Sequence, residues 1–157
     1  MGILESFLGK WLLTAGIAMI PVVELRGAIP AGIAAGLDPL SAFTAAVLGN
    51  LVPVPVVMLL VRRIFNFLRR GAWWGPKIEA LERRAHLKGH LVRKYRLPGL
   101  ILLVAIPLPG TGAWTGALVA DLLDIRLRAA LPAIGLGVAI AGAIVTGISC
   151  GVFTALG

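Results

Sequence analysis

PVVELRGAIP, residues 21–30, decides the fold of this chain: an acid, Glu24, and a base, Arg26, stand two positions apart between Pro21 and Pro30, with almost uncharged sequence on either side. An ionisable side chain near the centre of a bilayer costs at least about 2.5 kcal/mol on insertion scales, and such a cost is rarely carried without a use. Whatever fold forms around this stretch has to shelter two charges and two helix breakers at once.

The surroundings are those of an integral membrane protein. Of the 157 residues, 59% are hydrophobic and only 14% charged, and the mean hydropathy is +0.95; an ordinary soluble domain carries roughly 25% charge. Four apolar segments follow: Trp11–Leu37, which contains the opening stretch, then Leu40–Val61, Leu97–Leu123 and Ala129–Leu156. The second and fourth each exceed the ~20 residues needed to cross a hydrocarbon core of about 30 Å and carry no charge. The first and third are cut near their centres, by Pro21 to Pro30 in one and by PLPGTG, residues 107–112, in the other. Each reads as two half-helices, 11–20 with 28–37 and 97–106 with 113–123. A ten-residue helix rises only about 15 Å, half the hydrocarbon thickness. Such a pair dips to the midplane and returns, and its irregular tip must be covered by protein or line a wet cavity.

The two halves resemble each other. A shift of 86 residues lays Ile20-Pro21 on Ile106-Pro107, Leu37-Asp38 on Leu123-Asp124 and Gly49 on Gly135. The expected fold is therefore all-α integral membrane, a single membrane domain over 1–157 built as an inverted repeat of a re-entrant helical hairpin plus a transmembrane helix. Repeat one covers 11–61 (hairpin 11–37, span 40–61), a basic linker covers 62–96, and repeat two covers 97–156 (hairpin 97–123, span 129–156). Orientation follows from charge. Residues 62–96 hold eleven of the fifteen Lys and Arg and two acids, a balance of +9, so the rest of the chain sums to −1. Basic residues gather on the cytoplasmic side, which puts this loop in the cytoplasm beneath the cell (inner or plasma) membrane. Parity then opens hairpin one to the outside and hairpin two to the cytoplasm, with Arg126 and Arg128 inside. Confinement of the +8 net charge to one loop points to lipid headgroups as partners and excludes nucleic acid. Within that loop Trp73 and Trp74 suit an interfacial anchor.

The chemistry is expected at the hairpin tips. A desolvated carboxyl favours its neutral form, which suits Glu24 to a proton or another coupling ion. Arg26 suits an anionic group held bidentately. The bland alternative is that the two pair with each other, or lie in a wet interfacial loop. Around them the expected substrate and ion site gathers Gly27, Pro30, Asn50, Pro107, Pro109, Gly110, Thr111, Gly112 and Trp114: exposed amides at the glycines, one hydroxyl, an aromatic wall, and an amide inside an uncharged span. Half-helices 28–37 and 113–123 both aim positive N-terminal ends at the midplane, which favours an anionic headgroup. Asp38 and Asp124 read as turn formers or caps. His86 and His90 lack acids or cysteines at ligand spacing, so no metal is expected, nor a cofactor. Gly110 and Gly112 lack the following Lys-Ser or Lys-Thr of a nucleotide-binding loop. With no Ser/His/Asp set and no paired catalytic carboxylates, the chain is not expected to be an enzyme. Cys150 reads as a small hydrophobe.

VELRGAIPAGIAAG (23–36), LGNLVPVPVVMLLVRRI (48–64) and AIPLPGTGAWTGAL (105–118), taken together, resemble the prokaryotic small multi-drug export protein family over nearly the whole chain. That family is similar, more distantly, to the DedA or VTT-domain membrane proteins. The resemblance implies opposed re-entrant hairpins, movement of polyprenyl-phosphate or other lipids with a proton-motive-force dependence, and an acidic position of the first hairpin at Glu24. DedA proteins carry arginines in the second hairpin, whereas 105–123 contains no basic residue. The expected function is a small proton-coupled transporter or lipid translocase for an anionic or amphipathic substrate, acting as a homo-oligomer. The alternatives are a multidrug exporter of lipophilic cations and a non-transporting scaffold.

Overall fold

The structure is a computed structural model and describes residues 6–69, 76, 89–108 and 111–156. Every regular element among them is helical: α1 (Phe7–Ala18), α2 (Glu24–Ala34), α3 (Pro39–Leu51), α4 (Pro53–Arg69), α5 (Gly89–Ala105), α6 (Ala113–Leu122) and α7 (Leu127–Leu156). Two rods are long and apolar enough to cross a membrane, Pro39–Ile64 and Leu127–Val152. The first is α3 and α4 joined at Val52, where Pro53 lacks the N–H that would continue the ladder. The first extends the expected span 40–61 at both ends, whereas the second starts two residues before the expected 129–156 and stops four residues short of its end. Trp73, Trp74, His86 and most of the 62–96 linker lie outside the described residues; its two ends continue α4 and begin α5.

The short helices fold back on themselves. A methyl on Gly32 would stand 2.8 Å from Thr14 Oγ1, so α2 returns along α1 after the five-residue turn 19–23. Gly116 meets the Val104 side chain in the same way, returning α6 along α5. At 12, 11 and 10 residues, α1, α2 and α6 rise only about 15 to 18 Å. α5 is longer, with non-helical backbone at Tyr95 (φ −116, ψ 17); its apolar part is Tyr95–Ala105.

Several boundaries differ from expectation, α1 running from Phe7 to Ala18 and not over 11–20. The first turn closes by Pro21–Val23 rather than running to Pro30, so α2 starts at Glu24, four residues before the predicted Ala28, and Pro30 lies inside it. Pro30 forfeits a single helix bond, the one to the Arg26 carbonyl, and α2 continues through it.

Helix ends repeat a device. At the end of α2 the Leu37 N–H bonds the Gly32 carbonyl (3.0 Å) and the Gly36 N–H bonds Ile33 (2.9 Å). At the end of α6 the Ile125 N–H bonds Ala120 (2.8 Å) and the Asp124 N–H bonds Asp121 (3.0 Å). Both are Schellman closures with a left-handed residue, Gly36 at φ 91 and Asp124 at φ 56, followed by a buried aliphatic residue. Asp38, by contrast, is the N-cap of α3, accepting from the Ser41 N–H at 3.0 Å. Ser41, through its side chain first and its backbone N–H second, holds the Asp38 carboxyl below the usual carboxylate range. The aspartates paired by the 86-residue shift thus do different work. The ends of α2 and α6, and the starts of α3 and α7, are 88 residues apart. Contacts agree with 88: Gly49 packs on the Ala15 backbone, and its counterpart in kind is Gly137, whose added methyl would stand 2.9 Å from the Ile101 carbonyl, not the looser Gly135.

The two spans form the centre. α1 and α2 pack on α3, and α5 and α6 pack on α7. Each set also reaches across, α2 to α7 and α6 to α4, while α3 packs on α7. The core between them is small and aliphatic, with Ala28, Ile29, Ala46, Val54, Met58, Val104, Ala117, Ile134 and Val138 all buried. Small side chains let helices approach closely where hydrophobic burial gives no drive against lipid.

Candidate functional site

The turn that ends α1 sets the site. Helix α2 opens on a non-glycine residue in left-handed backbone, Glu24 at φ 49, a conformation that persists only where the surroundings over-determine it. Its N–H bonds the Ile20 carbonyl at 2.9 Å, and its side chain is turned inward, leaving the residue 6% exposed.

What receives that side chain is the other half of the molecule. The Glu24 carboxylate lies against the backbone of Gly112, where any added methyl would overlap it. The backbone N–H of Trp114, in the first turn of α6, faces the carboxylate. Gly112 is the N-cap of α6 and has no capping side chain of its own. Glu24 therefore supplies, from across the molecule, the negative group that a helix N-terminus favours, worth about 1 to 2 kcal/mol in a partly buried setting. Gly112 has φ −129, which any residue adopts; glycine is required there for room.

Arg26, in the first turn of α2, makes the reciprocal contact. One guanidinium nitrogen donates to the Thr111 carbonyl (2.7 Å) and hydroxyl (3.1 Å). The same hydroxyl accepts from the Leu108 N–H at 3.2 Å and lies 2.7 Å from the Ile106 carbonyl and 2.9 Å from the Leu108 carbonyl, so Thr111 ties the second turn together. The Trp114 indole donates to the Met19 carbonyl at 3.2 Å, closing the clasp from the other side. Glu24 and Arg26 do not pair with each other: among the described residues the one ion pair within 4.0 Å is Arg62–Asp121. Each charge is instead met by polar groups of the opposite half.

The expected site residues separate accordingly. Glu24, Arg26, Thr111, Gly112 and Trp114 are brought together. Gly27 is half-buried and packs on the Val23 side chain, shaping the turn. Pro30 lies in α2, Pro107 is half-buried in the second turn, and Pro109 and Gly110 lie outside the described residues. Asn50 is 0% exposed, and neither its Oδ1 nor its Nδ2 has a partner. Among the described residues no group of His, Cys, Asp and Glu could hold a metal.

A second polar contact is absent from the sequence reading. Arg62 Nε donates to Asp121 Oδ1 at 2.6 Å, and Nη2 donates to the Ile125 carbonyl at 2.9 Å. This fastens the first span to the far end of α6. Arg62 read only as the first base of the linker, and no local signal tied it to an acid 59 residues away.

Residues 24–144 match the family model described as "Putative small multi-drug export protein". No curated protein and no solved structure matches the chain.

Proposed function

Because the chain belongs to the small multi-drug export protein family, we propose that it is a membrane exporter that carries an anionic or amphipathic, lipid-like substrate past a site between two half-span hairpins, coupled to a proton at Glu24. The hairpins 11–37 and 97–123 enter from opposite faces, as the expected inverted repeat and the distant likeness to DedA proteins would have it. Matching helix closures, the 88-residue offset and the half-membrane rise of α1, α2 and α6 support that architecture. The architecture suits alternating exposure of one midplane site.

The observation that carries the reading is the seating of the Glu24 carboxylate on the N-terminus of α6. A carboxylate is drawn to that positive end and a neutral acid is not, so taking up a proton weakens the joint between the halves and lets them part. Arg26, already bonded to Thr111 through one nitrogen, turns the other edge of its fork to the anionic group of the substrate.

One feature favours a second reading. The N-terminus of α6, expected to receive an anionic headgroup, is filled by the protein's own carboxylate, and a lipophilic cation displacing the proton from Glu24 would also fit. Proteoliposomes with an imposed pH gradient separate these, using a fluorescent phosphatidylglycerol and ethidium as probes. Glu24→Gln is expected to abolish gradient-driven flux with unchanged membrane insertion, and flux at the wild-type level would refute the proton role. Preference for ethidium would select the cation exporter, and absence of flux of either probe in the wild type would leave a lipid-organising scaffold.

A further inference from the structure

Asn50 has no use in the arrangement above, yet leaving a polar side chain buried and unsatisfied costs about 1 to 3 kcal/mol. It lies on the core-facing stripe of the first span with Ala42, Ala46, Val54 and Met58, all buried. Its amide presents an acceptor and a donor, neither bonded.

Helix register places it level with the acid. A methyl on Gly32 would stand 3.2 Å from the Ala42 methyl, so α2 and α3, which turn back on each other through 35–38, are level at that contact. Glu24 lies eight residues before Gly32 and Asn50 eight residues after Ala42, each about 12 Å along its helix toward the tip at 1.5 Å per residue. The packing of Gly49 on the Ala15 backbone, three residues before α1 ends, confirms that this part of α3 is level with the tip.

Resting on the proton role proposed above, we propose that Asn50 is a second station for Glu24, a positioning residue that receives the side chain in its neutral form. A carboxylic acid carries one O–H donor and one carbonyl acceptor, the complement of a primary amide; a carboxylate only accepts. The ionised side chain belongs on the α6 N-terminus, where amide N–H groups and a helix dipole meet it. On taking a proton from water it gives up the Trp114 N–H and pairs with Asn50, its O–H donating to Oδ1 and its carbonyl accepting from Nδ2. Two stations of opposite preference convert one proton into a movement of the side chain from one half of the molecule to the other.

Among the described residues the one charge that acts on Glu24 is that of Arg26; on α4, Arg62 is paired with Asp121 and Arg63 is exposed. On α2, Arg26 is held at Thr111. On α1, the Lys10 ammonium stands by Gly36 at the far end of α2. On α7 the titratable groups are Arg128, in the first turn, and Cys150. On α6, Asp121 is at the far end and paired with Arg62. Helix α3 carries none.

Infrared difference spectra of the membrane-reconstituted protein between high and low pH test this without any substrate. The carboxylic acid C=O band of the wild type that is missing in Glu24→Gln belongs to Glu24. In Asn50→Leu that band is expected at higher wavenumber, and the pH at which it appears is expected to fall by about one unit, the size of one net hydrogen bond. Asn50→Gln is expected to restore part of the shift, and Asn50→Ala provides the same test with a smaller side chain if leucine disturbs packing. An unchanged band and midpoint in both Asn50→Leu and Asn50→Ala overturn the second station while leaving the proton role of Glu24 intact. Absence of any Glu24 band in the wild type down to the acid limit of folding overturns the proton role itself.

Discussion

Gly112 is where one residue's size decides whether the two halves meet. Its backbone tolerates alanine, with φ −129, but the added methyl would occupy the place of the Glu24 carboxylate. Gly112→Ala is therefore expected to fold and insert, to lose about 1 to 2 kcal/mol of stability with the acid displaced from the α6 N-terminus, and to lose proton-driven transport. Glu24→Asp, one methylene shorter, leaves room for that methyl, so the double variant should recover part of the transport that Gly112→Ala loses; thermal unfolding in detergent and flux in proteoliposomes give the two readings. If Gly112→Ala transports like the wild type, the carboxylate does not need its seat. At this scale the sequence was half legible. Glu24 and Arg26 stood out because charge is costly in apolar sequence, and Gly112 because helix breakers clustered around it. That the two charges would be answered from the opposite hairpin, and not by each other, could not be read from spacing: the partners are 85 residues apart and the contact depends on the left-handed turn at Glu24.

Among the elements, α6 depends most on its neighbours, because its ten residues are too few to hold a helix unaided. Glu24 caps its start, and Arg62 neutralises Asp121 in its last turn, where a negative charge opposes the helix dipole. The pair is unequal: the Asp121 side chain is 6% exposed and that of Arg62 39%. Arg62→Leu strands a buried carboxylate, whereas Asp121→Asn leaves a half-exposed guanidinium still bonded to the Ile125 carbonyl. Thermal unfolding should therefore show Arg62→Leu losing about 2 kcal/mol, below the value for a fully buried pair, and Asp121→Asn losing about half of that; equal losses would mean that the burial of Asp121 carries no weight. Length and hydropathy made the spans legible, since 20 or more uncharged residues have few other fates. The breakpoints were less so. Pro21 and Pro30 look alike in sequence, but only the first coincides with the turn; Pro30 forfeits one hydrogen bond within α2, which continues through it. The expected repeat offset of 86 matched landmark residues, whereas the helix ends and the tight contacts of Gly49 and Gly137 lie 88 apart, because helix closure follows backbone geometry and not residue type.

Taken as a whole, the molecule covers its charges better than its apolar tips. Glu24 is buried, yet Val22 beside it is 92% exposed, and Ile20 and Leu108 are also open. Irregular backbone at membrane depth is tolerated against protein or water and not against lipid, so in the proposed architecture the outer edges of both turns face either a wet cavity or the second copy that the sequence reading expects. The same constraint bears on orientation. Were residues 11–37 a full crossing, α1 and α2 would continue one another in line; instead the Gly32–Thr14 contact turns α2 back along α1, and in the architecture proposed above both ends of the pair lie on one side. With the basic loop in the cytoplasm, single cysteines in a Cys150→Ser background should divide cleanly. Ser6→Cys and Ala155→Cys are expected to react with an impermeant thiol reagent added to intact cells, and Arg126→Cys only after permeabilisation. Four ordinary crossings would reverse all three, because each broken segment would then contribute one extra passage, moving both ends of the chain to the cytoplasm and Arg126 to the outside. Reversal would remove the opposed hairpins, and with them the reason for Glu24 to find a helix N-terminus halfway through the membrane.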